Sequence, residues 1–426
     1  MLMSLPPLLV LVVFTLAAIL LVIRIGREPG RAVLLWWAGT ACVPVWIGMN
    51  GVGFQLLFGS VLAGALIVVT MWTSDVRIRT NAFDGMMLAL VGTTVLAVAF
   101  GGSRSIAFDA VTHWALPYFL LRLLTLVVPV ARLRRIIVGV GVGVALWAVV
   151  EYAFDLHVFE RMPAVGLENL SAIWQQIQIR NGVARSEAAF GTAIVLATFL
   201  AIAMPFALRS QTKLWSLVAP VVLMSGIFVT LSRTGFVAVA IAGVLTLISR
   251  RQKYRFVMGA AGLAVSYFAL PLVQGEGVSV STSTELADSS AYRDYVFSTA
   301  VPQTHWLGRA VIEYVSVDNA YLRLALESGR IPALCLIGLM LFALWVAIVH
   351  RPGAATIATV AMGGSMYVVA LVTQWELFVF AAAGIAASEL QLLRLQSAGS
   401  SDEGTVKIRD AQSDGSPAGS TPWREP

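Results

Sequence analysis

Apolar runs long enough to cross a lipid bilayer recur along the whole chain. A membrane-spanning helix needs about 20 mostly apolar residues. Segments of this kind lie at about 5–23, 32–48, 51–72, 84–101, 105–130, 136–154, 187–208, 214–231, 234–249, 254–273, 331–349, 354–373 and 375–393. The joint between 32–48 and 51–72 is short, and so is the joint between the last two segments. The pattern predicts an all-α, polytopic bundle of about 12 or 13 transmembrane helices.

Basic residues divide the joints into two sets, which alternate along the chain. Lys and Arg favour the cytoplasmic side of a membrane. Basic joints lie at 24–31, 77–79, 132–135, 209–213, 250–255 and 351. The intervening joints are nearly uncharged, or are long and contain acidic as well as basic residues. The alternation predicts a cytoplasmic C-terminus, with the N-terminus outside for thirteen spans and inside for twelve.

Two joints on the predicted outer side are long, at about 155–186 and 274–330. They predict an outer loop region with short interfacial helices. The segment after 395 is rich in Ser, Gly, Asp and Pro, a composition that is typical of disorder. The chain is therefore expected to have one membrane domain, 1–395, and a disordered cytosolic tail, 396–426.

The composition supports a membrane protein and excludes an ordinary soluble enzyme. Only 12% of the 426 residues are charged, about half the share in a soluble domain, where roughly 25% is usual. The net charge of +6 is spread over the joints between apolar runs, so it predicts contact with a bilayer and not with a nucleic acid. Cys42 and Cys335 lie inside apolar runs and predict no disulfide.

The basic residues in the outer joints are all arginines. They are Arg104, Arg161, Arg180, Arg185, Arg233, Arg293, Arg309, Arg323 and Arg330. A guanidinium offers a planar pair of donors that suits phosphate oxygens. These arginines could instead pair with nearby acids, which are Glu160, Glu168, Glu187, Asp294 and Glu313. As a set they favour an anionic substrate headgroup at the membrane surface.

The segment Thr230-Leu-Ser-Arg-Thr-Gly235 joins two apolar runs with almost no loop. It places Arg233 at the outer boundary of the membrane, at the N-terminus of the helix that follows, with Ser232 as a candidate N-cap. A helix N-terminus beside an arginine predicts a diphosphate site. The alternative is an interfacial arginine whose side chain reaches out to water.

A second polar segment runs from Asp318 to Pro332 and predicts a short interfacial helix that leads into a span. Asp318 is the expected N-cap and Gly329 the expected end. Asp318 could also be a base that is directed into the site.

Charged residues also lie inside the predicted span 105–130. Asp109 and His113 share one helix face, and Arg122 follows. Such residues usually face a cavity or a partner helix, so Arg122 is a candidate for substrate binding or for helix pairing.

Three stretches carry a family resemblance. They are Arg180 to Leu208 with Val183-Ala-Arg-Ser-Glu-Ala-Ala-Phe-Gly191, Leu231-Ser-Arg-Thr-Gly235, and Tyr292-Arg-Asp294 through Trp306-Leu-Gly308 to Asp318-Asn-Ala-Tyr-Leu322 and Glu327-Ser-Gly329. In order and spacing they resemble the bacterial O-antigen ligases and the O-antigen and exopolysaccharide polymerases. The likeness covers roughly 115–350. Many members have His-Asn where this chain has Asp318-Asn319, and in the ligases that histidine is a candidate base.

The resemblance implies a glycosyltransferase on the outer face of the bacterial plasma membrane. It would transfer a glycan from a polyprenyl-diphosphate-linked oligosaccharide to a lipid-linked acceptor, without a metal or other cofactor. Partners could include other membrane proteins of polysaccharide assembly. The expected catalytic residues are Asp318 and Arg233. The expected substrate-binding residues are Arg180, Arg185, Arg293, Asn319, Tyr321 and Arg122.

Two other functions remain open at this stage. A ligase of the same family would transfer the glycan to a different acceptor. A transporter or flippase of lipid-linked sugar would belong to another class, and would more often contain internal repeats and helices broken at mid-membrane. The sequence has no evident repeat, and its polar residues concentrate at the outer boundary.

Overall fold

The computed structural model describes residues 24–51, 54–74, 76–180, 182–209, 213–250, 295, 297–310, 317–350, 352–367, 369–371 and 373–413. The described chain is mostly helical. Its main helices are α1 Pro29–Cys42, α2 Phe58–Thr73, α3 Ala82–Ala97, α4 Arg104–Asp109, α5 Leu116–Val127, α6 Val130–Phe154, α7 Glu168–Trp174, α8 Ala193–Leu208, α9 Lys213–Val229, α10 Arg233–Arg250, α11 Ala320–Glu327, α12 Arg330–Val349, α13 Ala354–Ser365 and α14 Trp375–Ser413.

Sheet is confined, in the described chain, to two small antiparallel hairpins. Strands β1 (Gly48–Gly51) and β2 (Phe54–Leu57) pair with Gly48 opposite Leu57. Strands β3 (Ile179–Arg180) and β4 (Val183–Ala184) pair with Arg180 opposite Val183.

Several of these helices are apolar enough to cross a membrane, which supports the predicted all-α membrane bundle. Five have the necessary length, Ala82–Phe100, Arg104–Val127, Val130–Phe154, Arg330–Val349 and Trp375–Leu395. Shorter apolar helices are Phe58–Thr73, Ala193–Leu208, Trp215–Val229, Arg233–Thr246 and Ala354–Ser365. The predicted spans 5–23 and 254–273 lie outside the described residues.

Several predicted spans are shorter in the structure than the apolar runs that suggested them. The run 51–72 contains α2, which begins only at Phe58, because the residues Phe54–Leu57 form strand β2. The run 32–48 contains α1, which ends at Cys42 because Pro44 holds the preceding Val43 in an extended conformation. The run 354–373 contains α13, which ends at Ser365. Beyond α13, the carbonyl groups of Met366 and Tyr367 accept hydrogen bonds from Ala320 N and Asn319 Nδ2, at the start of α11.

The predicted span 105–130 is helical as far as Val127, but the helix is not regular. A π-helical segment, Ala110–Ala115, joins α4 to α5. Such segments are rare inside α-helices and often occur at functional sites. Here the π-helical segment carries His113 and Trp114, and both side chains are buried.

The basic joints of the described chain meet at one end of the bundle, as their alternation predicts. Their contacts are Arg132 with Glu28, Arg134 with the Arg209 carbonyl, Arg209 with the Pro352 carbonyl, and Arg122 with the Arg79 carbonyl. We call this the basic end. Because α6, α9 and α13 all run away from it, the segments 155–192, 229–233 and 317–329 lie at the opposite end, which we call the loop end.

A buried polar network fastens the helices near the basic end. The fully buried Arg122 donates from Nε to Asp84 Oδ1 at 3.2 Å, from Nη1 to Ser388 Oγ at 3.0 Å and from Nη2 to Gln391 Oε1 at 2.6 Å. Tyr118 adds a 2.7 Å bond to Asp84. The network therefore joins α3, α5 and α14 through buried polar groups.

The packing of α14 against α5 is close because small residues line it. A Cβ atom at Gly384 would lie 2.2 Å from the Tyr118 carbonyl oxygen. Small residues of this kind let membrane helices approach at backbone distance.

The C-terminal helix is longer than the sequence suggests. It continues to Ser413, whereas the composition predicts disorder from 396. A helix that is already nucleated gains one backbone hydrogen bond for each residue it adds, so polar residues can extend it. The residues from 414 onward lie outside the described chain.

We expect Arg122→Ala to lower the free energy of unfolding by about 3 kcal/mol or more, because it leaves the buried Asp84 carboxylate without its cation. Thermal unfolding in detergent measures the effect. Arg132→Ala, which removes an exposed pair with Glu28, is the control and should change little. Equal losses in the two variants would contradict a structural role for the buried network.

Candidate functional site

The turn between α9 and α10 lies at the loop end. Thr230 N donates to Ile227 O at 3.2 Å, and Leu231 N donates to Phe228 O at 3.0 Å. Leu231 has a φ of 52°, in the left-handed region that residues other than glycine and asparagine rarely adopt. Strained backbone of this kind costs on the order of 1–3 kcal/mol and is concentrated at functional sites.

Arg185 docks on this turn. Its Nε donates to the Thr230 carbonyl at 2.9 Å, and its Nη1 donates to Gln178 Oε1 at 3.1 Å. The neighbouring Ser186 N donates to Val229 O at 3.4 Å. The structure thus brings Arg185 to the turn that carries Arg233, although 48 residues separate the two in sequence.

Ser232 and Arg233 open helix α10. Arg233 is half-buried. Ser232 is 2% exposed, and its Oγ makes no hydrogen bond to any described residue. The first backbone N–H groups of a helix have no partner within the helix, and they create a positive field. The Arg185 guanidinium, the buried Ser232 hydroxyl, the residue Arg233 and a helix N-terminus therefore lie at this turn, a combination that can bind a phosphate-bearing anion.

The second predicted segment begins α11, but its cap differs from the expectation. The N-cap is Asn319, whose Oδ1 accepts from Leu322 N at 2.9 Å, and not Asp318, which is exposed. Asn and Asp are about equally good caps, so the sequence could not separate them. The expectation that Asp318 is the N-cap is therefore wrong, and its role as a base stays a prediction.

Asn319 and Tyr321 hold α11 against the end of α13. Asn319 Nδ2 donates to Tyr367 O at 2.9 Å, and the Tyr321 hydroxyl donates to Gly363 O at 2.7 Å. These polar groups face backbone carbonyls in the structure. Their predicted contact with substrate stays a prediction.

A buried acid–histidine cluster lies beside α11, and the sequence revealed it only in part. His113 Nδ1 lies 3.0 Å from Glu376 Oε1 and 3.4 Å from Asp109 Oδ1. Trp114 Nε1 donates to the second oxygen of Glu376 at 2.9 Å. The shared face of Asp109 and His113 was visible in the sequence, whereas Glu376 is distant and comes from α14.

A further acidic cluster lies at the end of α6. Glu151 Oε1 lies 3.0 Å from His157 Nδ1 and also accepts from Glu187 N at 3.3 Å. Burial raises the pKa of the Glu187 carboxyl to about 8, and the charges of Glu160 and Glu151 add to this rise. Burial also raises the pKa of Glu160. Sequence reasoning treated Glu160 and Glu187 as partners for arginines and did not anticipate that they would meet.

The other residues that the sequence predicted for the site are not among the contacts described at the loop end. Arg122 lies at the basic end, with its guanidinium bonded to Asp84, so the structure separates it from Arg185 and Arg233. The backbone of Arg180 lies in β3, and its side chain is outside the described residues. Arg293 lies outside them as well.

The described chain is mostly helical, several of its helices are apolar enough to cross a membrane, and polar clusters lie at its loop end. Comparisons of the chain with protein-family models, with curated proteins and with solved structures find no match. The family likeness therefore rests on the sequence motifs alone.

We expect Leu231→Ile to lower the free energy of unfolding by about 1–2 kcal/mol, because a β-branched side chain fits the left-handed region poorly. Leu245→Ile is the matched control, since Leu245 is buried to a similar degree (8% exposed, against 9% for Leu231) but lies inside α10. Thermal unfolding in detergent compares the two variants. An equal loss in both would contradict strain at the turn.

Proposed function

We propose that the protein is an integral membrane glycosyltransferase of polysaccharide biosynthesis. It transfers a glycan from a polyprenyl diphosphate to a lipid-linked acceptor on the outer face of the plasma membrane. The observation that carries the proposal is the docking of Arg185 on the strained turn that presents Ser232 and Arg233. The order of the sequence motifs, two of which contain these arginines, supports it.

The turn would hold the diphosphate. Arg233 and Arg185 would each offer paired donors to phosphate oxygens, and the Ser232 hydroxyl and the first N–H groups of α10 would add further donors. Negative charge builds on the diphosphate as it leaves. Donors that are already positioned for that charge lower the barrier, as a metal ion does in other transferases. The transfer step would therefore need no metal.

The acceptor side of the reaction needs a group that takes a proton. The acceptor hydroxyl oxygen would attack the anomeric carbon, and the bond from that carbon to the diphosphate would break, with the electron pair leaving on the diphosphate. Asp318 is exposed at the start of α11, where a carboxylate can accept the hydroxyl proton. A carboxylate would then take the place of the histidine that is a candidate base in the ligases.

We expect deletion of the protein to leave single lipid-linked repeat units in the membrane, because a polymerase joins such units to one another. Extraction of lipid-linked glycans and measurement of their size checks this. Accumulated full-length polymer on the lipid carrier would instead indicate a ligase. An unchanged glycan profile on the outer face would contradict both.

We expect Arg233→Lys to reduce polymer formation nearly as much as Arg233→Ala, by roughly 100-fold, the scale of losing one oriented donor to a developing anion. Lysine keeps the charge but cannot form the paired bonds of a guanidinium. The measurement is polymer per amount of protein in the membrane, which corrects for folding losses.

Arg104→Lys is the matched control, because Arg104 is an exposed arginine that also begins a helix in the predicted outer region. It should retain normal activity. If Arg233→Lys behaved like this control, Arg233 would be a boundary residue whose charge only has to reach water.

A further inference from the structure

The acidic cluster at the end of α6 is formed by a local reversal of the chain. Helix α6 ends at Phe154, and Asp155 follows in the left-handed conformation, with a φ of 52°. The chain then turns back, so that His157 and Glu160 lie over Glu151, a residue in the last turn of α6. One ligand atom from each of Glu151, His157 and Glu160 lies within 4.8 Å of the other two.

The spacing of these atoms suits a small divalent cation. His157 Nδ1 lies 3.0 Å from Glu151 Oε1 and 3.3 Å from Glu160 Oε1. Two atoms bound at about 2.0 Å to a tetrahedral zinc ion lie about 3.3 Å apart. A single proton on Nδ1 can form a good hydrogen bond with only one of the two carboxylates, whereas a cation at the centre would bind both of them.

The histidine is also held from its other side. His157 Nε2 lies 3.2 Å from Asp155 Oδ1. A proton on Nε2 that is shared with this carboxylate leaves the Nδ1 lone pair directed at Glu151 and Glu160. Metal-bound histidines commonly have such a carboxylate partner, which fixes the tautomer and strengthens the ligand.

Two buried carboxylate oxygens at the cluster have no hydrogen-bond donor within the described chain. They are Glu160 Oε1 and Glu187 Oε2. The Glu187 side chain is only 1% exposed, and its neighbours include Glu151 and Glu160. Burying several carboxylates around one histidine is costly unless a positive charge joins them.

We propose that Glu151, His157 and Glu160 form a binding site for a divalent transition metal of the zinc type, with Glu187 beside the fourth position. The ion fastens the segment 155–187 to the end of α6. Its role is structural, so it is separate from the transfer step, for which the arginines supply the positive charge. The sequence predicted no metal, because the three ligands come from a helix end and two later turns and form no contiguous motif.

The test uses the full chain purified in detergent, with zinc as the probe. Metal analysis after gel filtration should find about one zinc per chain, the content of a single closed site. A chelator should lower the Tm by several degrees, and added zinc should restore it. Glu160→Gln and His157→Gln should lose both the metal and the response of Tm to zinc.

Glu168→Gln is the matched control. It removes an exposed carboxylate from the same outer segment and should behave like the wild-type chain. The chelation and reloading of the wild-type chain decide the question even if a ligand variant fails to fold.

If the cluster binds no ion, Glu160→Gln should raise the Tm, whereas loss of a bound ion would lower it. If no ion binds, the cluster contains crowded carboxylates, and Glu160→Gln would relieve their repulsion. A wild-type chain that retains no zinc, with a Tm that is indifferent to zinc and lower than that of Glu160→Gln, would overturn the proposal. These measurements do not depend on glycan transfer, so their outcome is independent of the proposed activity.

Discussion

In a bilayer, a polar group that leaves water must find a partner inside the protein, because the lipid offers none. This constraint accounts for the long-range contacts of the structure. The carboxylate of Asp84 is satisfied by Arg122 and Tyr118 from another helix. The carboxylate of Glu389, on α14, lies against Gly353, the N-cap of α13. Charged side chains therefore determine which helices meet, whereas an apolar side chain packs about as well against lipid as against another helix.

The same constraint shapes the irregular backbone at the loop end. Helix α13 ends at Ser365, and the carbonyl groups beyond it need donors. Helix α11 supplies them, through Ala320 N to Met366 O at 2.9 Å and Asn319 Nδ2 to Tyr367 O at 2.9 Å. The start of α11 thus supplies donors to the carbonyl groups at the end of α13. Arg185 does the same for the turn at Thr230, whose carbonyl it bonds.

The sequence was most informative where one physical quantity dominated. Hydropathy located the helices, and the alternation of basic joints grouped their ends correctly in the described chain. Boundaries depended on local chemistry that hydropathy ignores, such as the effect of Pro44 on α1. Contacts between segments that are distant in the sequence were the hardest to predict. The pairing of Glu376 with His113, and the docking of Arg185 on the turn of Arg233, arise from tertiary packing that no local motif encodes.

The short segment that contains Arg185 and Glu187 connects the two clusters of the loop end. The Arg185 guanidinium donates to the carbonyl of Thr230, whereas the Glu187 backbone N–H donates to the carboxylate of Glu151. A cation bound in the acidic cluster would therefore add positive charge near Arg185 and would help to attract an anion to the turn. Metal binding in one cluster and anion binding in the other are therefore expected to favour each other, although neither ligand touches the other's site.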